Sequence, residues 1–212
     1  NNIDAIYEKK QLNKNDIAAM INEVKSEKIN GINVTVPFKK SVIPFLDQLT
    51  LIAKEAQSVN TIFKKDNKII GDNTDIGGFE YGLKHINYDV KNKRVFILGA
   101  GGVVPSIILA LRKLGVFKIC LSNRTKEKAE NLKKIYKDLE VINWGQCTDF
   151  DMIINATSLG LKKDDQIELD FSKIKSDKLF YDIIYNPSKT NFLLKGEELG
   201  NKIENGKMMF IY

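Results

Sequence analysis

The chain has few of the residues that mark secreted, metal-binding or membrane proteins. Its 212 residues include two cysteines, one histidine, one tryptophan and four prolines. Cys120 and Cys147 lack the spacing of a metal site, and His85 has no partner motif. No apolar run approaches the roughly 20 residues of a membrane-spanning helix, and no signal peptide is visible. These absences favour a reduced, cytoplasmic protein with no metal centre and no membrane partner.

Neither sign of charge dominates the chain. Lysine and arginine number 33 and aspartate and glutamate 27, which gives a net charge of +6 at pH 7. This modest, dispersed excess does not favour nucleic acid as a partner. It could attract an anionic substrate or cofactor, but a solvated basic surface is the simpler explanation. With 43% apolar residues, the composition indicates a globular protein of one large domain or two small ones.

The stretch GINVTVPFKK, residues 31–40, joins a β-rich run to a proline and two lysines. Alternation puts Asn33, Thr35 and Lys39 on one face of a predicted strand. The opposite, apolar face would consist of Ile32, Val34, Val36 and Phe38. Pro37 is typical of the first turn of a helix, which would put Lys39 at a helix start. By itself the stretch favours a half-buried strand with a solvated polar face over the wall of a ligand site.

Residues 61–71 contain two β-rich runs around an Asp-Asn pair. This pattern predicts a hairpin with a two-residue turn. In that register Asn60 faces Asn73, and Asp75 lies two residues beyond. The open end of the hairpin is therefore expected to collect three polar side chains.

The second half of the chain alternates short apolar strands with helices. This β-α-β-α order predicts a parallel, doubly wound sheet. We therefore expect an α/β protein with a Rossmann-like, doubly wound parallel-sheet domain and a smaller mixed α/β domain. The pair Gly77-Gly78 predicts a hinge between them, followed by a helix. Predicted strands here are residues 95–98, 118–121, 151–154 and 179–183, and predicted helices along the chain include 16–28, 51–57, 103–114 and 126–137.

A glycine-rich turn follows the first strand of this sheet. Gly99, Ala100, Gly101 and Gly102 lie between that strand and the next helix. They form a variant of the dinucleotide fingerprint that lacks the third glycine. Such a turn lets the backbone approach a pyrophosphate at the N-terminus of the helix.

The end of the next strand indicates which dinucleotide binds. Enzymes that use NAD usually have an acidic residue there, whereas NADP is accommodated by an arginine. Here the residues are Asn123, Arg124 and Thr125. Arg124 can bind a 2′-phosphate, to which Thr125 adds a hydroxyl donor and Lys128 a second cation. The sequence therefore predicts NADP as the cofactor, although Arg124 alone would more often be a solvated surface residue.

Two further strands end in polar segments. Thr157 and Ser158 follow one of them, and Tyr185 follows the other. Ligands of doubly wound sheets bind at the carboxyl ends of the strands, so we expect these segments to share one crevice with the glycine-rich turn. Each segment could also be ordinary turn chemistry.

Together, these segments resemble the shikimate dehydrogenase family. The matching stretches, in the family's order, are residues 33–39, 59–61, 71–75, 99–102, 123–125, 155–158 and 181–185. The resemblance implies the reversible, NADPH-linked reduction of 3-dehydroshikimate to shikimate, a step toward chorismate and aromatic amino acids. It also implies a substrate-binding, catalytic domain of residues 1–76, completed by 206–212, and an NADP-binding domain of residues 77–205.

The resemblance implies roles for individual residues. Lys39 and Asp75 would be the catalytic pair. The substrate would contact Asn33, Thr35, Lys39, Asn60, Asp75 and Tyr185. The cofactor would contact Gly99, Ala100, Gly101, Gly102, Asn123, Arg124, Thr125, Lys128, Thr157, Ser158, Ile183 and Gly206. An ammonium such as that of Lys39 both donates a proton and stabilises developing negative charge, which suits carbonyl reduction.

Simpler roles and other functions stay open. Lys39 could be a surface lysine and Asp75 a helix cap. The protein could instead be an NAD-dependent quinate/shikimate dehydrogenase, which Arg124 disfavours, or a non-catalytic, dehydrogenase-like nucleotide-binding module. The family also uses a serine motif upstream of residue 1 and a glutamine beyond Tyr212, so we expect a piece of a longer chain. A small-molecule substrate is the expected partner, and the protein is expected to be a monomer or homodimer.

Overall fold

The computed structural model describes residues 4–212, which form two sheets with flanking helices. The α-helices are α1 (Ile17–Lys25), α2 (Leu51–Ala56), α3 (Asp75–His85), α4 (Val104–Lys113), α5 (Lys126–Ile135), α6 (Asn191–Glu198) and α7 (Lys207–Ile211). The strands are β1 (Gly31–Asn33), β2 (Gln48–Leu49), β3 (Thr61–Lys65), β4 (Lys68–Asp72), β5 (Arg94–Leu98), β6 (Lys118–Ser122), β7 (Glu140–Ile142), β8 (Met152–Asn155), β9 (Leu179–Asp182) and β10 (Lys202–Asn205). Short 3-10 helices span Lys14–Asp16, Ile43–Phe45 and Phe171–Lys173.

The smaller sheet is mixed and has the strand order β1-β3-β4-β2. Strands β3 and β4 form the predicted hairpin, whose turn residues Asp66 and Asn67 both have positive φ, as this turn requires. The register pairs Thr61 with Asp72, and the Asn60 amide donates to the Asp72 carbonyl at 3.0 Å. The predicted register is therefore confirmed. Helix α1 covers the sheet with residues that include Ile21.

The larger sheet is parallel throughout, with the order β10-β9-β8-β5-β6-β7. Strands β8 and β9 are buried along their whole length, which explains their continuous apolar sequences. Separate apolar clusters cover the two faces of the sheet, and Ile97 belongs to one while Phe96 belongs to the other. The expected fold class, a doubly wound parallel sheet with a smaller mixed sheet, is confirmed.

Residues 34–45 differ from the predicted strand and helix. Strand β1 ends at Asn33, and turns lead into the 3-10 helix. The Lys39 carbonyl accepts a hydrogen bond from the Val59 amide at 2.8 Å, so this turn is tied to the segment that precedes β3. Val36 is 69% exposed whereas Val34 is buried, so the predicted common apolar face is wrong. Lys39 therefore lies in a turn, and its predicted position at the start of a helix is wrong.

Helix α3 includes the two glycines that were expected to form a hinge before it. It begins at Asp75 and continues through Gly77 and Gly78. A Cβ on Gly78 would overlap the carbonyl oxygen of Met209 in α7, whereas one on Gly77 would have no neighbour within 4 Å. Gly78 therefore permits the close packing of α7 on α3. The domain limits at residues 76 and 206 stay a prediction.

Alanine substitutions should distinguish these two glycines. Gly77→Ala should raise the free energy of unfolding by up to about 1 kcal/mol, because alanine is the better helix former. Gly78→Ala should lower it by about 1–3 kcal/mol, because the new methyl group has to displace α7. Urea denaturation of both variants measures the difference, and equal effects would contradict the packing described.

Candidate active site

Lys39 and Asp75 form an ion pair near the open end of the hairpin. The Lys39 Nζ lies 2.6 Å from Asp75 Oδ2, and the two side chains are only 10% and 13% exposed. Asp75 is the first residue of α3, where the helix dipole favours a carboxylate. Little water competes for this pair, so its charges interact more strongly than they would on the surface.

Asn60 connects the ion pair to the hairpin. Its Nδ2 donates to Asp75 Oδ1 at 3.0 Å, and its Oδ1 accepts from the Thr74 amide at 2.9 Å. Both oxygens of the Asp75 carboxylate are therefore occupied, one by Lys39 and the other by Asn60. The structure thus brings together three residues that the sequence analysis placed in one site.

Asn33 and Thr35 are exposed and flank Val34, whose amide donates to the Asn60 carbonyl at 2.7 Å. Asn33 Nδ2 is 3.4 Å from Thr61 Oγ1, which in turn donates to Asn60 Oδ1 at 3.1 Å. The Tyr7 hydroxyl donates to Asn33 Oδ1 at 3.2 Å. Tyr7 is not among the predicted site residues, because nothing in the sequence around it links it to Asn33.

The glycine-rich turn lies directly against the ion pair. A Cβ on Gly102 would lie 3.6 Å from the Cβ of Lys39 and within 4.0 Å of its Cγ and Cδ. The turn at the carboxyl end of β5 therefore packs on the stem of Lys39. This contact brings the predicted cofactor segment and the predicted catalytic pair into one site.

The turn itself has the open backbone that a dinucleotide requires. Gly99 has φ +111°, and a Cβ there would lie 2.6 Å from the Ala156 carbonyl oxygen, so only glycine fits. A Cβ on Gly101 would meet only that same oxygen, at 3.9 Å, which leaves space for a ligand. The Ala100 amide donates to Asn123 Oδ1 at 3.0 Å, so Asn123 supports the turn.

Three exposed side chains lie at the end of β6 and the start of α5: Arg124, Thr125 and Lys128. Within the described part of the chain, neither Arg124 nor Lys128 forms an ion pair. Both cations are therefore available to an anion. Arg124, Thr125 and Lys128 fit the 2′-phosphate of NADP, and the backbone of the glycine-rich turn fits its pyrophosphate.

The loop after β8 is organised by a buried carboxylate that the sequence analysis did not single out. Asp182 accepts hydrogen bonds from Asn155 Nδ2 at 3.0 Å and from the Thr190 hydroxyl at 2.6 Å. Burial raises the pKa of Asp182 to about 6, although these hydrogen bonds oppose the shift. The Thr157 hydroxyl donates to Asn155 Oδ1 at 2.7 Å, whereas Ser158 is exposed.

The remaining predicted site residues lie at the end of β9 and the start of α7. Gly206 lies against Ile183, since a Cβ on Gly206 would overlap the Ile183 carbonyl. Tyr185 is 45% exposed, and its ring stacks on Phe210 with centroids 4.8 Å apart. Among the described residues, no hydrogen bond connects Tyr185 with the Lys39–Asp75 pair. The structure therefore brings Ile183 and Gly206 together but leaves Tyr185 outside the hydrogen-bonded group.

Two features are not found between residues 4 and 212. None of the helices there is long and apolar enough to span a bilayer. No three histidine, cysteine, aspartate or glutamate side chains there are grouped so that they could hold a metal ion. Cys120 and Cys147 are both free thiols.

Two family models match the chain. The "Shikimate dehydrogenase substrate binding domain" matches residues 1–62, and "Shikimate / quinate 5-dehydrogenase" matches residues 82–184. The first match contains Lys39 and Asn60, and the second contains the glycine-rich turn and Arg124.

Similar proteins carry the same family name. The chain is 57% identical over 210 residues to "Shikimate dehydrogenase (NADP(+))" of Pelagibacter ubique (strain HTCC1062), covering 99% of this chain and 79% of that protein. A crystal structure of shikimate dehydrogenase from Aquifex aeolicus is 39% identical with a TM-score of 0.86, covering 95% of this chain and 75% of that one. A shikimate dehydrogenase structure in complex with NADP+ is 32% identical with a TM-score of 0.87, covering 95% of this chain and 74% of that one.

Asp182 should make folding stability depend on pH. Its pKa of about 6 in the folded protein exceeds the ordinary value of 3.8, so the folded state holds this proton more tightly than the unfolded state. The contribution of the protonated Asp182 carboxyl to the stability of the folded state is therefore complete below about pH 4, and it is lost as the pH rises through about 6. Between these limits, wild-type stability should fall by on the order of 3 kcal/mol relative to Asp182→Asn. Urea denaturation across this range measures it, and parallel pH profiles would contradict the assignment.

Proposed function

The chain belongs to the shikimate dehydrogenase family, and we propose that it reduces 3-dehydroshikimate to shikimate with NADPH where the glycine-rich turn meets the Lys39–Asp75 pair. The packing of Gly102 on the Lys39 stem carries this proposal, because a dinucleotide held by the turn would lie close to Lys39, the proposed proton donor. The curated relative of 57% identity is named as an NADP(+)-dependent shikimate dehydrogenase. The reaction belongs to the biosynthesis of chorismate and aromatic amino acids.

Cofactor binding is assigned to groups at the carboxyl edge of the parallel sheet. The backbone of Gly99–Gly102 and the N-terminus of α4 would hold the pyrophosphate, and Arg124, Thr125 and Lys128 the 2′-phosphate. Asn123, Thr157, Ser158, Ile183 and Gly206 would line the rest of the site. When bound, NADPH supplies the hydride for the carbonyl carbon.

Proton transfer is assigned to Lys39. Reduction of a carbonyl leaves negative charge on its oxygen, and a neighbouring ammonium both stabilises that charge and donates the proton. Asp75 orients the ammonium through its 2.6 Å contact, and Asn60 keeps the carboxylate from rotating by holding its second oxygen. Lys39 can regain a proton from water, because its side chain is not fully buried.

Substrate recognition is assigned to polar groups around this pair. Asn33 and Thr35 are exposed beside Asn60, so their amide and hydroxyl groups can bind substrate hydroxyls. Tyr185 would contribute from the end of β9. Arg124, which forms no ion pair with any described residue, favours NADP over the NAD of a quinate/shikimate dehydrogenase. The intact Lys39–Asp75 pair favours catalysis over a module that only binds a nucleotide.

We further propose that the enzyme works in the cytoplasm as a monomer or homodimer, without nucleic acid. Its two free cysteines suit a reducing compartment, and its net charge of +6 is too modest and dispersed for a nucleic-acid surface.

Replacing Lys39 should abolish most of the turnover. We expect Lys39→Ala to lower kcat by about 10³-fold, the range associated with loss of a general acid, while KM changes by less than about threefold. Lys40→Ala is the matched control, since Lys40 is the adjacent, exposed lysine and should leave kcat unchanged. NADPH oxidation in the presence of 3-dehydroshikimate measures both variants. Turnover by Lys39→Ala near the wild-type rate would refute the assignment, and ligand binding without turnover by the wild type would favour the non-catalytic module.

Replacing Arg124 should weaken the preference for NADPH. Arg124→Ala should raise KM for NADPH by about 10- to 100-fold, because a charged contact to phosphate is lost, while KM for NADH stays within about twofold. Lys133→Ala removes an exposed cation from the same region, on α5, and controls for net charge. An equal loss with both cofactors would show that Arg124 does not contact the 2′-phosphate.

A further inference from the structure

Three buried polar side chains lie between the glycine-rich turn and the catalytic hairpin. Ser58 and Ser106 are 0% exposed and Asn73 is 3% exposed. The Ser58 hydroxyl donates to the Gly102 carbonyl at 2.8 Å. Asn73 Nδ2 lies 2.8 Å from the Ser58 carbonyl oxygen and 2.9 Å from Ser106 Oγ, and the Ser106 hydroxyl can donate to Asn73 Oδ1 at 3.2 Å. Together with the backbone between Gly102 and Ser106, these bonds form a closed ring that links two parts of the protein.

On the cofactor side, the ring is attached at two points. Gly102 is the last residue of the glycine-rich turn, and Ser106 lies in the first turn of α4. The backbone that would face the pyrophosphate is therefore fixed both at its end and one helical turn later.

On the catalytic side, the ring residues Ser58 and Asn73 lie close in the chain to Asn60 and Asp75, and Ser58 is linked to Lys39 through Val59. Ser58 precedes Val59, whose amide binds the Lys39 carbonyl, and it lies two residues before Asn60. Asn73 lies two residues before Asp75. A shift of Ser58 or Asn73 would thus be transmitted through one or two peptide units to Lys39 or to Asp75.

We propose that Ser106, acting through Asn73, is a positioning residue that sets the distance between the cofactor turn and the Lys39–Asp75 pair. This inference rests on the proposed function, in which hydride and proton must reach the same carbonyl group. Without the Ser106 hydroxyl, Asn73 Oδ1 would lose the hydrogen bond that it accepts in this ring. Water cannot readily replace that partner at a buried site, so the hairpin and the turn would shift relative to each other until this oxygen is satisfied. A displacement of about 1 Å between reacting groups can lower the rate by about 10²-fold.

Ser106→Ala tests this role in the full-length protein, with Ser122→Ala as the matched control. Ser122 is also completely buried in the same sheet domain, but within the described residues its hydroxyl has no hydrogen-bond partner. Ser106→Ala should lower kcat by about tenfold or more and leave the Kd for NADPH within about twofold, because no ligand contact is removed. Ser122→Ala should leave both constants unchanged. Equal kcat values for the two variants would overturn the proposal.

A second measurement does not depend on turnover. Hydrogen–deuterium exchange of the ligand-free protein should become faster at residues 58–60 and 102–106 in Ser106→Ala but not in Ser122→Ala. Unchanged exchange at both segments would show that Ser106 does not hold the turn to the hairpin, and would overturn the proposal. If the wild type fails to reduce 3-dehydroshikimate, the proposed function fails, and the exchange comparison still decides whether Ser106 holds the turn to the hairpin.

Further variants test the same link between the turn and the hairpin. If Ser106→Ala does not fold, Ser58→Ala breaks the bond to Gly102 from the other side and should show the same loss of kcat with unchanged Kd. Combining Asn73→Ala with Ser106→Ala should lower kcat no further than the more severe single variant, because both remove the same link. Additive losses would show that the two residues act separately.

Discussion

The ion pair between Lys39 and Asp75 determines what the surrounding structure has to provide. Removing two charges from water is costly unless their hydrogen-bonding capacity is satisfied. Asn60 meets this requirement by binding the second oxygen of the carboxylate, and the start of α3 contributes a favourable dipole. The hairpin register in turn places Asn60 opposite the chain that leads into α3. The smaller sheet can therefore be understood as the support for one buried pair.

The parallel sheet contributes the glycine-rich turn that lies beside this ion pair. Its strand β5 ends in the glycine-rich turn, whose last residue, Gly102, lies beside the side chain of Lys39. The buried ring of Ser58, Asn73 and Ser106 then joins this turn to the hairpin. The ion pair and the glycine-rich turn belong to different sheets, but this ring joins the turn to residues that lie within two positions of Asn60 and Asp75.

Features governed by local sequence were predictable, and features governed by tertiary contacts were not. The hairpin follows from Asp66 and Asn67, which tolerate positive φ, and the buried strands of the parallel sheet follow from their apolar runs. The helix expected after Pro37 does not form, and the turns found there are tied to a distant segment, since the Lys39 carbonyl binds the Val59 amide. The short edge strands β7 and β10 lack the apolar run that identified the central strands. In the site, motif and register indicated Asn60 and Asp75, whereas the ring around Ser106 and the raised pKa of Asp182 depend on burial that no local pattern encodes.

A structure of the protein with NADP and shikimate bound would show directly whether Lys39 is the proton donor. If it is, Lys39 Nζ should lie about 3 Å from the hydroxyl oxygen that reduction creates, with Asp75 still in contact with Lys39. The nicotinamide ring should face the carbon bearing that hydroxyl. A complex in which this hydroxyl is bound by other groups, with Lys39 directed away from it, would rule out this role of Lys39.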